Sequence, residues 1–308
     1  MKFLVIGDLH GIKPKIKIKD FDYIIAPGDF CSDRDRRKLY IKWFKYMKEF
    51  NDCCEEPLDS NEYFIKILKI TPSKLKKYDE KSLQDGRKVL EFLNSFGKPV
   101  FIVPGNWDQS DAKYTNDDST PLRKYKNLHE RYSGKRTNSK LTRGLKNIFD
   151  CQFKVFKFKE FNILGYGLSS GPELPDSREV DNKDQIRKIK VSYNKLFDKV
   201  KSQYFKRNKS NPTIFLSHNV PQNTKLDKII SPESYLHGKH FGSRITKDFI
   251  KKYQPLICIG GHMHEHFRKD KIGKTICINS GFGHDVNVIF EIKNNKIINL
   301  KFLGQNGV

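Results

Sequence analysis

The sequence predicts an α/β fold in which sheets and helices are stacked in layers. Short apolar runs rich in Val, Ile and Phe recur along the 308 residues, and most of them end at Gly, Pro or Ser. Such runs are typical of buried strands, and segments with apolar residues at helical spacing lie between several of them. The alternation of strands and helices indicates a layered α/β architecture.

The predicted strands are short and apolar. They cover residues 3–6, 23–26, 100–103, 213–216, 256–259, 275–278 and 288–292. The segment 153–167 alternates apolar and polar residues on either side of Lys159 and Glu160. This alternation predicts a half-exposed hairpin with its turn at those two positions.

Apolar residues three or four positions apart predict the helices. One stripe consists of Leu39, Trp43, Phe44, Met47 and Phe50. Residues 83–96 and 183–206 have comparable patterns and are predicted to be helical as well.

The chain is predicted to form one domain over residues 1–308 with two insertions, and its length allows a large core. The first insertion, about 31–95, is mostly charged and helical, with Lys-rich faces. The second, about 109–150, is polar and has few strand signals. Because it is too long for an ordinary connection, we expect it to be a loop or a cap over a site.

The charge favours anionic partners without identifying one. Lys and Arg number 59 against 36 Asp and Glu, which gives a net charge of +23. A basic surface attracts molecules that carry phosphate, but a Lys-rich composition throughout the chain also accounts for the charge. No apolar run approaches the roughly 18–20 residues that span a bilayer, so we expect a soluble, cytoplasmic protein without a membrane partner.

Polar side chains follow the predicted strands at five places. They are Asp8 and His10 in GDLHG, Asp29 in PGDF, Asn106 in PGNWD, His218 in SHNVP, and His262 and His264 in GGHMHEH. In α/β sheets, ligands bind at the carboxyl ends of the strands, and the adjacent glycines permit tight turns there. We therefore expect these side chains to meet at one edge.

The seven side chains have the chemistry of a transition-metal site. Carboxylate, amide and imidazole donors suit Mn, Fe, Zn, Ni or Co better than Ca²⁺ or Cu(I). Alternate residues in Asp8-x-His10 and His262-x-His264 can point to the same side, so each pair can reach one cluster. Seven donors are too many for one tetrahedral ion but fit two ions about 3.5–4 Å apart that share a carboxylate.

The five motifs, taken in order, resemble those of the calcineurin-like metallophosphoesterase superfamily. They read GDLHG, GD, GN, SH and GHMH between residues 7 and 264, and residues 236–281 are similar to the smaller single-domain branch of that superfamily. The resemblance implies a layered α/β/β/α sandwich with two mixed sheets. It also implies a dinuclear enzyme that hydrolyses a phosphodiester or phosphomonoester through a metal-bridging hydroxide.

The resemblance further implies a division of the donors between two divalent ions of unknown identity. One ion would take Asp8, His10 and His264, and the other Asn106, His218 and His262. Asp29 would bridge the two ions. The implied partner is a small phosphate ester.

The chain departs from the family pattern at Trp107. The family usually has His after the GN asparagine, where it stabilises the transition state or protonates the leaving oxygen. Indole donates one N–H and cannot transfer a proton, so Trp107 either caps the pocket, stacks on a base or packs as core. We expect Asp108 to fix the turn or to orient a neighbouring His.

Other histidines are candidates for substrate contact. His237 and His240 lie on the Gly-rich segment LHGKHFGS, although a surface loop would also contain such residues. His284 and His266 are weaker candidates, and His129, in the polar insertion, is expected to be solvated.

Two other functions are compatible with the motifs. A nuclease would use the same chemistry and let the Lys-rich insertions follow a nucleic-acid backbone. A non-catalytic scaffold would retain the fold and bind a partner through it. The sequence leaves the substrate and the oligomeric state open.

Overall fold

The computed structural model describes residues 1–50, 57–108, 141–167, 169, 171–173, 183–232, 234 and 236–304. Over these residues the chain forms two six-stranded sheets. Each sheet contains parallel and antiparallel neighbours, and helices cover the outer faces. The predicted α/β/β/α sandwich with two mixed sheets is confirmed.

The first sheet has a parallel centre and an antiparallel flank. Its strands are, in spatial order, β12 (Lys296–Leu303), β11 (Asn287–Lys293), β1 (Lys2–Ile6), β2 (Tyr23–Ala26), β3 (Val100–Ile102) and β4 (Ile148–Asp150). Strands β1 to β4 are parallel, so their carboxyl ends meet at one edge.

The second sheet is built in the same way. Its strands are, in spatial order, β5 (Val155–Lys157), β6 (Asn162–Tyr166), β7 (Thr213–Asn219), β8 (Ile257–Gly261), β10 (Thr275–Ser280) and β9 (Phe267–Ile272). The four inner strands are parallel, and the outer β5 and β9 are antiparallel to their neighbours.

The described residues form five helices. They are α1 (Arg34–Glu49), α2 (Ser60–Lys66), α3 (Pro72–Asn94), α4 (Lys183–Tyr204) and α5 (Arg244–Tyr253). Of these, α2, α3 and α5 begin after a residue whose side chain caps them. Thr71 and Ser243 accept backbone N–H groups at the starts of α3 and α5, which satisfies donors that the helix itself leaves free. Among the described residues, no helix is both long and apolar enough to cross a bilayer.

Both faces of the central strands are buried. In β1, Phe3 and Val5 pack between the two sheets, whereas Leu4 and Ile6 face the layer that contains α3. On the other side of the sandwich, Phe249 of α5 belongs to the cluster that covers the second sheet. Burial on both faces explains why the strands appear in the sequence as continuous apolar runs.

The predicted hairpin is present, but it is not half-exposed throughout. β5 and β6 pair antiparallel, with the turn at residues 159–160. Every residue of β6 is buried because β6 also pairs with β7 and has a packed cluster on each face. The prediction of half-exposure is therefore wrong for β6, and only β5 is partly exposed.

The helices of the first predicted insertion form a cluster of their own. Leu39, Tyr63, Phe64 and Leu75 bury their side chains against one another across α1, α2 and α3. Of the second predicted insertion, residues 109–140 lie outside the described residues, and β4 lies at its end.

Candidate metal centre

The predicted polar residues lie where the parallel strands of both sheets end. Asp8, Asp29 and Asn106 follow β1, β2 and β3 in the first sheet, and His262 follows β8 in the second. His218 differs from the prediction because it lies inside β7, where the pairing with β8 shifts register between Leu216 and Asn219.

The donor atoms fall into two groups that share one carboxylate. Asp8, His10, Asp29 and His264 form the first group, and Asp29, His218 and His262 form the second. The donor atoms within each group lie within 4.8 Å of one another. Asn106 joins the second group, since its Oδ1 lies 2.8 Å from His218 Nε2 and 2.9 Å from His262 Nδ1. All seven predicted donors are thus brought together.

Three of these residues adopt left-handed backbone conformations. His10 has φ of 44°, Asp29 of 54° and His262 of 66°. The alternate spacing in the sequence assumed extended backbone at these pairs. In the structure, turns direct the side chains instead. Such conformations cost a non-glycine residue about 1–3 kcal/mol each and cluster at functional sites.

Two glycines make room for the carboxylates. A Cβ atom on Gly105 would lie 2.1 Å from Asp29 Oδ1, and one on Gly261 would lie 2.3 Å from Asp8 Oδ1. Both contacts are far shorter than any side chain allows, so the glycines of PGN and GGH are required by close approach.

A hydrogen bond and an ion-pair contact outside the cluster orient two of the imidazoles. His218 Nδ1 donates to the carbonyl oxygen of Pro27 at 2.9 Å, which leaves the lone pair of the neutral ring on Nε2. His10 Nδ1 lies 3.3 Å from Asp33 Oδ1, and its Nε2 lies 3.2 Å from His264 Nε2. Outer partners of this kind are typical of histidines that bind metal.

Burial shifts the ionisation of the cluster. It raises the pKa of Asp8, and it raises the pKa of Asp29 well above its ordinary value. It also lowers the pKa of His218, and together with His10 and Arg37 it lowers the pKa of His264 well below the ordinary value. The last two rings are therefore neutral, the form that can bind a metal ion.

His10 is the exception. Burial opposes its charged form, but the contact with the Asp33 carboxylate and the charges of Asp29, Asp33 and Asp8 raise its pKa above the ordinary value. Several carboxylates thus favour positive charge at this position, as a cation site requires.

The residues fit a divalent cation. Asp8 Oδ1 is buried, and it has no hydrogen-bond partner among the described residues. Asp29 Oδ2 lies 3.5 Å from His10 Nε2 and 3.6 Å from His218 Nε2, between the two groups. A buried carboxylate oxygen without a partner is costly, and a cation among imidazole nitrogens and carboxylate oxygens would satisfy it.

Phe282 and Arg37 line one side of the cluster. The Phe282 ring stacks on His264 with centroids 4.1 Å apart, and the Arg37 guanidinium lies 5.3 Å from the centroid of the same ring. Arg37 Nε also donates to Asp33 Oδ2 at 2.5 Å. A cationic side chain from α1 therefore stands beside the first group of donors.

Trp107 and Asp108 support the turn that carries Asn106. The indole ring of Trp107 packs against Tyr40 of α1, with centroids 5.5 Å apart, and its backbone N–H donates to Asp29 Oδ1 at 2.8 Å. The ring is partly buried against the core cluster that contains α3. The sequence left three roles open for Trp107, and packing against the core is the one that these contacts support.

Asp108 is buried behind the site. Its Oδ1 accepts the backbone N–H groups of Phe30 and Cys31, and its Oδ2 accepts that of Gly105. The carboxylate therefore ties the turn after β3 to the segment that follows Asp29, in agreement with the expectation that it fixes the turn.

His237 and His240 lie outside the two donor groups. His237 is exposed, and its Nδ1 donates to the carbonyl oxygen of Ser231. The Nδ1 of His240 lies 2.7 Å from Asp227 Oδ1, and the His240 side chain is 37% exposed. These two histidines therefore differ in kind, because His240 alone is held by a buried carboxylate.

The weaker candidates also lie outside the donor groups. His266 is buried and donates to the carbonyl oxygen of Lys228, whereas His284 lies 3.0 Å from Asp285 at the surface. His129 lies outside the described residues.

Sequence reasoning missed Asp33, Arg37, Phe282 and Asp227. Asp33 and Arg37 follow Asp29 in the segment GDFCSDRDRR, where acidic residues before a helix gave a weak signal. Asp227 lies in a loop without any motif, and only its contacts reveal it.

The fold and the site together define a class of protein: an α/β/β/α sandwich with candidate metal-ligand residues near the strand ends of both sheets. The sequence profile of the calcineurin-like phosphoesterase family (Metallophos) matches residues 78–266, more than half of the chain. The chain belongs to this family, whose members typically bind divalent metals and whose name indicates hydrolysis of phosphoesters. The matched region contains Asn106, His218, His262 and His264.

Individual proteins are similar to parts or all of the chain. The uncharacterized protein MJ1162 of Methanocaldococcus jannaschii is 32% identical over 128 residues, which are 41% of this chain and half of that protein. The protein TT1561 of Thermus thermophilus matches with a TM-score of 0.50 and 12% identity over 98% of both chains. Another crystal structure matches with a TM-score of 0.54 and 16% identity, covering 98% of this chain and 99% of its own. At these identities the two structures show the fold alone.

Proposed function

We propose that the protein is a dinuclear phosphoesterase that hydrolyses phosphomonoesters or phosphodiesters. The observation that carries the proposal is the position of Asp29, whose carboxylate is common to both groups of candidate donors. A shared carboxylate is what a pair of ions about 3.5–4 Å apart needs.

The proposed ligands follow the two geometric groups. Asp8, His10 and His264 would hold one ion, and Asn106, His218 and His262 the other, with Asp29 between them. When bound, the ions would supply Lewis acidity that activates water and offsets the negative charge of the phosphoryl oxygens. The donor set suits Mn, Fe, Zn, Ni or Co.

The chain's own residues supply the remaining requirements of the proposed site. Contacts with Asp33 and with the carbonyl oxygen of Pro27 orient the rings of His10 and His218, and Asp108 fixes the turn that presents Asn106. Arg37 adds a positive charge beside the site, and the net charge of +23 favours anionic substrates. These features support a phosphate ester as the substrate.

The test combines metal loading with a variant of the shared carboxylate. Protein loaded with Mn²⁺, Zn²⁺, Ni²⁺ or Co²⁺ is assayed on p-nitrophenyl phosphate, bis-p-nitrophenyl phosphate and single-stranded DNA. We expect metal-dependent turnover of at least one of the two esters. Asp29→Ala should reduce this turnover to the level of the metal-free protein, because both groups lose a donor.

A matched control removes a carboxylate far from the site. Asp198 lies on α4 with its side chain 65% exposed, so Asp198→Ala should keep the wild-type rate. Elemental analysis of both variants should show that Asp29→Ala alone loses bound metal. Equal rates in the wild type and in Asp29→Ala would refute the proposed site, and turnover restricted to DNA would identify a nuclease.

A further inference from the structure

A buried carboxylate orients His240 through its Nδ1 atom. Asp227 is fully buried, and its oxygens accept the backbone N–H groups of Asn223, Thr224 and Gly242 at 2.8–3.0 Å. Because a carboxylate only accepts, the 2.7 Å contact is donated by His240 Nδ1–H. The Nε2 atom is thereby left as the position at which the ring gains or loses a second proton.

The Nε2 atom has no hydrogen-bond partner within the described residues, and the His240 side chain is 37% exposed. The three backbone hydrogen bonds to Asp227 stabilise the turn. They do not explain why the same carboxylate also accepts a hydrogen bond from an imidazole. A rigid acceptor behind a half-exposed imidazole is the arrangement found in proton-transfer sites, where the carboxylate fixes the tautomer and the orientation of the ring.

The loop that carries His240 is anchored next to two of the segments that supply candidate donors, the one with His218 and the one with His262 and His264. Asn219, next to His218, donates its side-chain N–H to the carbonyl oxygen of Phe241 at 3.0 Å. On the other side, Lys228 pairs with His240 and accepts a hydrogen bond from His266, two residues after His264. His240 is therefore held between these segments, at the same edge of the sandwich as the candidate metal centre.

Position 107, which follows Asn106, is Trp, whose indole cannot transfer a proton and whose ring packs against Tyr40. We propose that His240, oriented by Asp227, is the general acid that protonates the leaving oxygen. The proposal rests on the proposed function and deepens it by naming the substrate class, namely esters of alkyl alcohols, whose alkoxides leave poorly without a proton.

The proposed step replaces the leaving oxygen on phosphorus by water and transfers one proton from His240. Water forms a new bond to phosphorus and gives up a proton to solvent, while the bond between phosphorus and the leaving oxygen breaks. The leaving alkoxide takes the Nε2 proton of cationic His240. His240 then regains a proton from solvent, and Asp227 keeps the Nδ1 hydrogen bond throughout.

The test compares leaving groups rather than overall rates. Mn²⁺-loaded protein is assayed on p-nitrophenyl phosphate and on glycerol 2-phosphate, or on the corresponding pair of aryl and alkyl diesters if the wild type prefers diesters. We expect His240→Asn, which keeps a donor toward Asp227, to lose roughly 10²–10⁴-fold in kcat on the alkyl ester and less than about tenfold on the aryl ester. Added imidazole should restore part of the alkyl activity to His240→Ala.

Three controls separate catalysis from structure. Lys239→Ala changes an exposed side chain of the same loop and should behave as the wild type on both esters. Asp227→Asn should show the same leaving-group dependence in weaker form and lose the downfield Nδ1 proton resonance of His240. Metal content should be equal in the wild type and in His240→Asn.

The possible outcomes are distinct. Equal losses on the aryl and alkyl esters in His240→Asn, or no loss on either, would overturn the assignment of His240 while leaving the phosphoesterase intact. Absence of any turnover in the metal-loaded wild type would overturn the proposed function and the assignment together.

Discussion

Asp33, the residue before the first helix, contacts the candidate metal centre through His10. Burial alone would raise the pKa of Asp33, but His10 and Arg37 lower it to about 2, so its carboxylate is ionised at neutral pH. Asp33→Ala removes the partner of His10 Nδ1 and frees the ring to rotate. We expect this variant to bind Mn²⁺ roughly 10–100-fold more weakly in calorimetric titration.

Asp35, two residues further along, provides the control for this prediction. It lies on the first turn of α1 and pairs with Lys81 at the surface. Asp35→Ala removes the same charge without touching His10, so its Mn²⁺ affinity should match that of the wild type. Equal weakening in the two variants would attribute the effect to local charge, and an unchanged affinity in Asp33→Ala would remove Asp33 from the site.

At the level of residues, the sequence predicted the polar side chains that follow strands. It did not predict the carboxylates that orient the histidines. Asp8 and Asn106 could be located because glycine turns and apolar runs mark the ends of strands. Asp33 and Asp227 act through single contacts with His10 and His240, and such contacts depend on how distant loops pack. No local pattern encodes them.

Arg36 of α1 forms hydrogen bonds that connect the three helices of the first predicted insertion. Its Nε and Nη2 atoms donate to both oxygens of Asp79 at 2.9 and 2.8 Å, and its Nη1 donates to Asn61 of α2 at 3.3 Å. The side chains of Arg36 and Asp79 are 6% and 12% exposed. Arg36→Ala leaves Asp79 buried without its cation, so we expect a loss of about 3–5 kcal/mol in the free energy of unfolding.

Urea denaturation followed by tryptophan fluorescence measures this loss, because the chain has two tryptophans and both contact the helical cluster. Trp43 lies in that cluster, and Trp107 packs against Tyr40. As the control, Lys81→Ala breaks an exposed ion pair and should cost at most about 1 kcal/mol. Similar losses in the two variants would show that apolar packing alone holds these helices together.

At the level of elements, the strands that the sequence missed are those at the edges of the sheets. β4 and β12 border the first sheet, and β9 borders the second. Each has a single neighbour and partly exposed residues, and β9 and β12 contain two lysines each. Charged side chains at an edge protect it from pairing with other chains, and they also remove the apolar signal that identified the central strands.

At the scale of the whole molecule, the candidate centre joins the two halves of the sandwich. Asp8 and Asp29 follow strands of the first sheet, whereas His218 and His262 belong to the second. The sequence located each residue near a strand end, and the family resemblance supplied the face-to-face arrangement of the sheets. Spacing alone could not, because contacts between sheets link residues more than a hundred positions apart.

This position of the site predicts that metal stabilises the whole fold. Ions that bind only the folded protein add about 2.7 kcal/mol at a free concentration one hundred times Kd, which corresponds to roughly 4 °C in Tm for a chain of 308 residues. We expect Mn²⁺ to raise Tm and EDTA to lower it in calorimetry, because the cation satisfies Asp8 Oδ1 and offsets the buried charge of Asp29. Asp29→Asn should lose most of the shift, whereas Asp198→Asn should keep it. An equal shift in both variants would place the stabilising ion elsewhere on the molecule.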